Sequence, residues 1–134
     1  MRNYGVIGKS LVHSFSPRYF RDKFNELSIN DCSYQAFELP SIDEIKALIH
    51  ENNLSGFNVT IPYKQLIIPY LDEISLIACE INSVNTVRVK NGLLLGENTD
   101  CLGFENTLLK YVQFHHKRAL VLGQVEPVKQ LLMC

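Results

Sequence analysis

The sequence predicts an α/β fold: a three-layer, open and mostly parallel sheet with helices on both faces. Strand patterns alternate with helix patterns through the first three predicted strands, and this order is typical of a parallel sheet with crossover helices. The dipeptide Asn91-Gly92 lies between two short apolar runs and predicts a hairpin that adds an antiparallel edge. A content of 46% hydrophobic and 20% charged residues is normal for a globular domain.

The first strand and the first helix are predicted near the N-terminus. Residues 4–8 form a short apolar run that ends in glycine. Ser16 then takes the N-cap position of a helix and Pro17 its first helical position. The buried face of this helix consists of apolar residues at helical spacing, Phe20, Phe24 and Leu27.

Two further strands are predicted on either side of a second helix. Residues 34–39 alternate well enough for a strand, and residues 56–61 are a buried strand rich in Phe, Val, Thr and Ile. Ser41 and Glu44 form a capping box at the start of the helix. Pro62 cannot donate a ladder hydrogen bond, so the third strand should end there. The apolar stripe of the helix is Ile42, Ile45, Leu48 and Ile49.

The remaining elements are predicted from shorter patterns. The helix that begins at Asp100 is expected to bury an apolar face made of Leu102, Phe104, Leu108 and Leu109. Helices are expected over residues 64–71, 75–81 and 100–111, hairpin strands over 84–89 and 93–95, and a last strand from Arg118 to Gly123.

The composition argues against several classes of protein. The net charge is −1 and there is no basic block, so no nucleic-acid surface is expected. No apolar run reaches the length of a membrane span, and the N-terminus lacks the apolar region of a signal peptide. The four cysteines are scattered without a C-x-x-C pair, which indicates reduced thiols of a cytoplasmic protein and neither a disulfide framework nor a metal site.

Four loop segments carry the polar residues from which a binding site could be built. Each follows a strand or begins a helix, and they cover residues 13–17, 58–64, 83–86 and 96–100. In open α/β sheets, ligands bind outside the carboxyl ends of the strands. Hydroxyls, amides, one lysine and one aspartate suit a small ligand with several hydroxyls and a carboxylate. Such sites discriminate strongly, because an unmatched polar group would be left buried.

These segments resemble the motifs of the shikimate dehydrogenase family, in its N-terminal, substrate-binding half. His-Ser-x-Ser-Pro matches residues 13–17, Asn-Val-Thr-x-Pro-x-Lys matches 58–64, Val-Asn-Thr matches 84–86, and Asn-Thr-Asp-x-x-Gly-Phe matches 98–104. The motifs occur in the family's order and span nearly the whole chain. The resemblance implies shikimate or 3-dehydroshikimate as the substrate and NADP as the cofactor.

The resemblance also implies the roles of individual residues. Lys64 and Asp100 would be the catalytic pair, which relays the proton of the oxidised hydroxyl and stabilises developing oxyanion charge. Ser14 and Ser16 would bind the substrate carboxylate, and Asp100 would also bind a ring hydroxyl. The implied substrate-binding set is Ser14, Ser16, Asn58, Thr60, Lys64, Asn85 and Asp100, with Thr60 and Asn85 on the ring hydroxyls.

Some of these residues also have a purely structural explanation. Ser16 could act only as a helix cap, and Asn98 and Thr99 could only shape the turn before a helix. A carboxylate at position 100 is favourable near a helix start in any case.

The family pattern is not continued after Gly123. Family members have a glycine-rich turn there for the cofactor pyrophosphate, whereas residues 124–134 contain Pro127 and no glycine. Residues 1–111 are therefore expected to form the substrate-binding domain. Residues 112–134 would be a linker and the first strand of a missing dinucleotide-binding domain, free to self-associate through the strand edge between Arg118 and Gly123.

The last eleven residues have a possible origin at the level of the gene. One choice of codons for residues 124–134, read two bases later, encodes Gly-Gly-Ala-Ser-Lys, which is the family's continuation. We therefore expect that this tail is out of frame after the loss of one nucleotide behind the Gly123 codon. Sequencing the gene tests this expectation.

Three functions remain open at this level. The first is a shikimate dehydrogenase fragment that binds substrate but does not transfer hydride. The second is a standalone module that binds a polyhydroxy acid without turnover. The third is a quinate-preferring relative, since the chain departs from the family at Asn82-Ser83, where Gly-Ala is usual, and at Phe20, where many members have histidine.

Overall fold

The computed structural model describes residues 1–113, 115, 118 and 120. The strands in this part of the chain are β1 (Arg2–Gly8), β2 (Cys32–Glu38), β3 (Leu54–Val59), β4 (Glu73–Ile74), β5 (Thr86–Lys90) and β6 (Leu93–Glu97). The helices are α1 (Ser16–Glu26), α2 (Ile45–Glu51), α3 (Tyr63–Leu66), α4 (Leu76–Ile81) and α5 (Asp100–Leu108).

The strands form one mixed sheet in the order β2-β1-β3-β5-β6-β4. Strand β1 pairs in parallel with β2 and β3, and β4 pairs in parallel with β6. Strand β5 runs antiparallel to both β3 and β6. The predicted α/β fold is confirmed, and most of these pairings are parallel.

The predicted hairpin is the pair β5 and β6, but it does not form the edge of the sheet. Asn91 and Gly92 have φ angles of 53° and 81°, which is the left-handed conformation that a two-residue hairpin turn requires. Strand β4 pairs on the outer side of β6, so the predicted position at the edge is wrong. The sequence did not indicate β4, because two residues are too short for a periodic pattern.

The two faces of the sheet are covered to different extents. Tyr34 and Phe37 of β2 point to opposite faces, since side chains alternate along a strand. Phe37 packs against the main core, which joins Ile45 of α2 and Ala78 of α4 to Phe57 of β3. Helix α1 lies on the Tyr34 face and has no fully buried residue.

Several predicted element boundaries change in the structure. Phe15 takes the N-cap position of α1 without a side-chain hydrogen bond, so the prediction that Ser16 caps this helix is wrong and Ser16 is its first residue. The Ser41 hydroxyl accepts the N–H of Asp43 at 3.3 Å, but it does so in a 3-10 turn over Ile42–Glu44 that precedes α2. Strand β3 ends at Val59, two residues earlier than predicted.

The helix predicted over residues 64–71 is divided into two short elements. Helix α3 ends at Leu66, and a separate 3-10 turn covers Ile68–Tyr70. Pro69 explains the break, because it has no N–H with which to continue the helical hydrogen bonds.

Helix α5 does not bury the predicted apolar face. Leu102 is 57% exposed and Leu109 is 67% exposed, whereas Cys101 is buried. Phe104 is half-buried, so the expected burial is wrong for the leucines of this face. The strand predicted from Arg118 to Gly123 falls mainly outside the described residues, and residues 124–134 lie entirely outside them.

In the described part, no helix has both the length and the apolar character that crossing a membrane requires.

Candidate functional site

A cavity of about 470 Å³ lies beside the carboxyl ends of β1 and β3. The loop between β1 and α1 forms one wall, and the segment that follows β3 forms another. The starts of β5 and α5 complete it, because β5 runs antiparallel to β3 and therefore begins at the same end of the sheet. All seven residues of the implied substrate-binding set line this cavity: Ser14, Ser16, Asn58, Thr60, Lys64, Asn85 and Asp100.

Gly8, at the end of β1, allows the two walls to approach each other. A Cβ atom at this position would lie 2.7 Å from Thr60 Cγ2 and 2.8 Å from Leu11 Cδ2, which is closer than such atoms pack. The loop after Gly8 is held in place, since the Leu11 N–H donates to Glu38 Oε1 at 2.6 Å and the Ser14 N–H donates to the Leu11 carbonyl at 2.8 Å. The Thr60 and Ser14 side chains therefore face one compact space.

Lys64 and Asp100 form an ion pair in the cavity. Lys64 Nζ donates to Asp100 Oδ2 at 2.7 Å, and the two side chains are 18% and 40% exposed. Lys64 belongs to α3 and its carbonyl accepts the Val84 N–H at 2.8 Å, so the backbone behind the lysine is fixed to the segment before β5. An ammonium group and a carboxylate in direct contact can exchange a proton with a ligand hydroxyl placed beside them.

Asn98 is buried and organises the start of α5, which carries Asp100 of the ion pair. Its Oδ1 accepts the N–H groups of Asp100 and Cys101 at 3.0 and 3.3 Å. Its Nδ2 donates to the Ser83 carbonyl at 2.9 Å. Asn98 does not line the cavity, which agrees with the explanation that it only shapes the turn before α5. By fixing this turn, Asn98 positions Asp100 indirectly.

Asn85 is buried and its side chain is held by Thr86 and Thr99. Its Oδ1 accepts the Thr99 N–H at 2.9 Å and the Thr86 hydroxyl at 3.0 Å. Its Nδ2 donates to the Thr99 hydroxyl at 3.0 Å. The orientation of this amide in the cavity wall is therefore set before any ligand arrives.

Asn58 is held by a tyrosine that the sequence did not single out. The Tyr34 hydroxyl donates to Asn58 Oδ1 at 2.7 Å, and Asn58 Nδ2 donates to the Thr86 hydroxyl at 3.1 Å. Burial raises the pKa of Tyr34 to about 12, and the neighbouring Ser16 hydroxyl opposes this rise. Tyr34 is therefore a neutral hydroxyl at physiological pH.

The arrangement divides the cavity into a hydroxyl-rich part and a charged part. The hydroxyls of Ser14 and Ser16 come from the loop after β1 and the start of α1, where they can donate to a carboxylate. Lys64 and Asp100 supply the charged pair. His13 is exposed at the cavity rim.

The described residues do not fit a nicotinamide dinucleotide. Such a cofactor needs a glycine-rich turn between a strand and a helix, where the backbone can approach the pyrophosphate. The described strand-to-helix connections, residues 9–15, 39–44, 60–62, 75 and 98–99, contain no glycine.

The fold and the cavity define an α/β domain that binds a small polar ligand at the carboxyl ends of its strands. A family model described as shikimate dehydrogenase substrate binding domain matches residues 6–87. The chain belongs to this family.

Named relatives agree with the family assignment. The chain is 41% identical over 123 residues to the shikimate dehydrogenase (NADP(+)) of Staphylococcus haemolyticus, a match that covers 90% of this chain and 46% of that protein. The chain therefore spans about half the length of the curated relatives it matches.

Solved structures of shikimate dehydrogenases share the fold. A shikimate dehydrogenase from Peptoclostridium difficile superposes with a TM-score of 0.85 at 35% identity, over 99% of this chain and 50% of that one. A shikimate 5-dehydrogenase from Listeria monocytogenes, solved in complex with shikimate and NAD, superposes with a TM-score of 0.73 at 34% identity, over 82% of this chain and 38% of that one.

Proposed function

We propose that this chain binds shikimate and 3-dehydroshikimate as the substrate-binding part of an NADP-dependent shikimate dehydrogenase of aromatic amino-acid biosynthesis. The ion pair of Lys64 and Asp100, at 2.7 Å in a cavity walled by hydroxyls and amides, is the observation that carries the proposal. The relatives named as NADP(+) enzymes and the shikimate-bound structure support the choice of substrate and cofactor.

Each end of the substrate has a chemically matched group in the cavity. The hydroxyls of Ser14 and Ser16 can donate to the carboxylate, and an alcohol hydroxyl can both donate to and accept from another polar group. Asn58, Thr60 and Asn85 offer amide and hydroxyl groups for the ring hydroxyls. A ligand without these hydroxyls would leave polar groups of the wall unpaired, which disfavours its binding.

Lys64 and Asp100 manage the proton of the reacting hydroxyl. Oxidation of an alcohol carbon to a ketone removes a hydride and the hydroxyl proton. With its oxygen beside Lys64 Nζ, the substrate passes the proton into the pair, and the ammonium group stabilises negative charge that develops on the oxygen. NADP supplies the hydride acceptor when it is bound, and no described residue is assigned to it.

The second candidate is a module that binds a polyhydroxy acid without turnover, and one observation favours it. Residues 124–134 contain no glycine with which to cradle a pyrophosphate. We expect residues 1–134 by themselves to bind shikimate without reducing NADP. A cytoplasmic location is part of the proposal, and Cys32 and Cys79, which form no disulfide, support it.

A hybrid protein tests the proposed function. Residues 1–111 are joined to the remaining part of the Staphylococcus haemolyticus relative, and NADP reduction is followed with shikimate and, in parallel, with quinate. Shikimate-dependent NADPH formation by the hybrid supports the proposal, and its absence from a folded hybrid favours the binding module. Faster turnover of quinate than of shikimate would show that quinate is the preferred substrate. NADP reduction by residues 1–134 alone would overturn the expected inactivity.

A further inference from the structure

Tyr34 connects two walls of the cavity, although no motif contains it. Its ring stacks on Phe20 of α1, with ring centroids 4.3 Å apart and an angle of 19° between the planes. Its hydroxyl donates to Asn58 Oδ1 at 2.7 Å. Ser16 and Asn58 both line the cavity, whereas Tyr34 does not.

The hydrogen bonds beyond Asn58 determine which way its amide points. The Thr86 hydroxyl donates to Asn85 Oδ1 at 3.0 Å, so its oxygen is left to accept the proton from Asn58 Nδ2 at 3.1 Å. The nitrogen of the Asn58 amide must therefore face Thr86, and its oxygen must face Tyr34. Only a hydroxyl that remains protonated can satisfy that oxygen, and the neutral phenol of Tyr34 does so.

We propose that Tyr34 is a positioning residue of this site, whose hydroxyl fixes the Asn58 amide so that Oδ1 keeps a second lone pair for a hydroxyl of the ligand. Through this bond Asn58 acts as an acceptor in the cavity wall. A flipped amide would present N–H groups and would leave a ligand hydroxyl facing a donor. The proposal rests on the proposed function for the identity of the ligand, which is shikimate.

The substitution Tyr34→Phe tests the proposal, because it removes the hydroxyl and keeps the ring on Phe20. The dissociation constant of shikimate is measured by calorimetry on the full 134-residue chain. The loss of one neutral hydrogen bond should weaken binding about fivefold. Tyr70→Phe is the matched control, since its hydroxyl donates to Asp43 outside the cavity, and its affinity should equal that of the wild type. Equal affinities of Tyr34→Phe and the wild type would overturn the proposal.

A double-mutant cycle separates positioning from a general structural role. If Tyr34 acts through Asn58, then Tyr34→Phe should change affinity less than about twofold in the Asn58→Ala background. A fivefold loss that persists in this background contradicts the proposal. If no shikimate binding is detected with the wild-type chain, the proposed function fails and the role of Tyr34 with it. If the wild type binds and the cycle shows no coupling, only the role of Tyr34 fails.

A spectroscopic measurement on the ligand-free protein does not depend on affinity. The side-chain amide signals of Asn58 should shift and broaden in Tyr34→Phe, because the amide loses the donor that fixes it, and they should keep their positions in Tyr70→Phe. Unchanged Asn58 signals in a folded Tyr34→Phe variant would overturn the proposal.

Discussion

Lys64 Nζ lies 2.7 Å from Asp100 Oδ2, although the two residues are 36 positions apart and belong to different helices. Helix α3 brings the lysine to the cavity, and the first turn of α5 brings the carboxylate. In the proposed reaction this contact is the route by which the hydroxyl proton leaves the substrate.

Lys64→Ala separates the chemistry of the site from its binding. In the hybrid enzyme, we expect turnover to fall by about 10²–10⁴-fold, since this is the usual contribution of a positioned acid or base. Shikimate binding by the 134-residue chain should change less than about threefold, because most binding groups remain. Lys46→Ala, an exposed lysine of α2, is the control. Unchanged turnover in Lys64→Ala would contradict the assignment of this lysine.

Asn98→Ala should destabilise the domain and loosen the ion pair of Lys64 and Asp100. The buried amide closes the start of α5 and binds the Ser83 carbonyl, so its loss should lower the free energy of unfolding by about 2 kcal/mol. Urea denaturation measures this change. Asn106→Ala, an exposed position within α5, should cost little. Equal stabilities of the two variants would show that the Asn98 hydrogen bonds contribute nothing.

Ser83→Ala should stabilise the protein. Ser83 is fully buried, and its hydroxyl has no hydrogen-bond partner among the described residues. Removal of an unpaired buried hydroxyl is expected to raise the free energy of unfolding by about 1 kcal/mol. The carbonyl of residue 83 still accepts from Asn98, so that bond is preserved. A lower melting temperature for Ser83→Ala would contradict this expectation.

The ionisation of Tyr34 should make stability fall at high pH. Burial raises the pKa of Tyr34 to about 12 in the folded protein, whereas an unfolded tyrosine titrates near pH 10. The folded state holds this proton more tightly, so the contribution to stability is complete below about pH 10 and is lost as the pH rises through about 12.

Ultraviolet titration of the phenolate measures this effect. The difference between the wild type and Tyr34→Phe should show one tyrosine with a midpoint of about pH 12. The corresponding difference for Tyr111→Phe, an exposed tyrosine, serves as the control. A Tyr34 midpoint near pH 10 would show that burial does not raise the pKa of this hydroxyl, and it would contradict the expected loss of stability.

The sequence allowed the fold class and the lining of the cavity to be predicted, for a physical reason. Polar residues such as Ser14, Lys64 and Asp100 follow strands or begin helices, and the carboxyl ends of neighbouring strands meet at one edge of a sheet. All of the predicted site residues line the same cavity. Their individual roles remain predictions, which the variants above test.

Other features depend on tertiary packing that no local pattern encodes. Tyr34 lies in a strand where an aromatic residue is ordinary, so only its hydrogen bond to Asn58 distinguishes it. Asn98 belongs to a matched motif, yet its burial and its bond to Ser83 appear only in three dimensions. The leucines of α5, such as Leu102, have helical spacing but are largely exposed, because periodicity alone does not determine whether a face is buried.

A titration of the isotope-labelled 134-residue chain with shikimate, followed by nuclear magnetic resonance, tests whether this chain is a shikimate-binding domain. We expect saturable shifts concentrated at Ser14, Ser16, Thr60, Lys64 and Asp100, with a dissociation constant on the order of 1 mM, or about −4 kcal/mol. Signals of residues that do not line the cavity, such as those of Tyr70, should not move. Shikimate is added up to tens of millimolar, on the order of ten times the expected dissociation constant. If no signal shifts, or if only residues outside the cavity shift, the result contradicts the claim that this chain is a shikimate-binding domain.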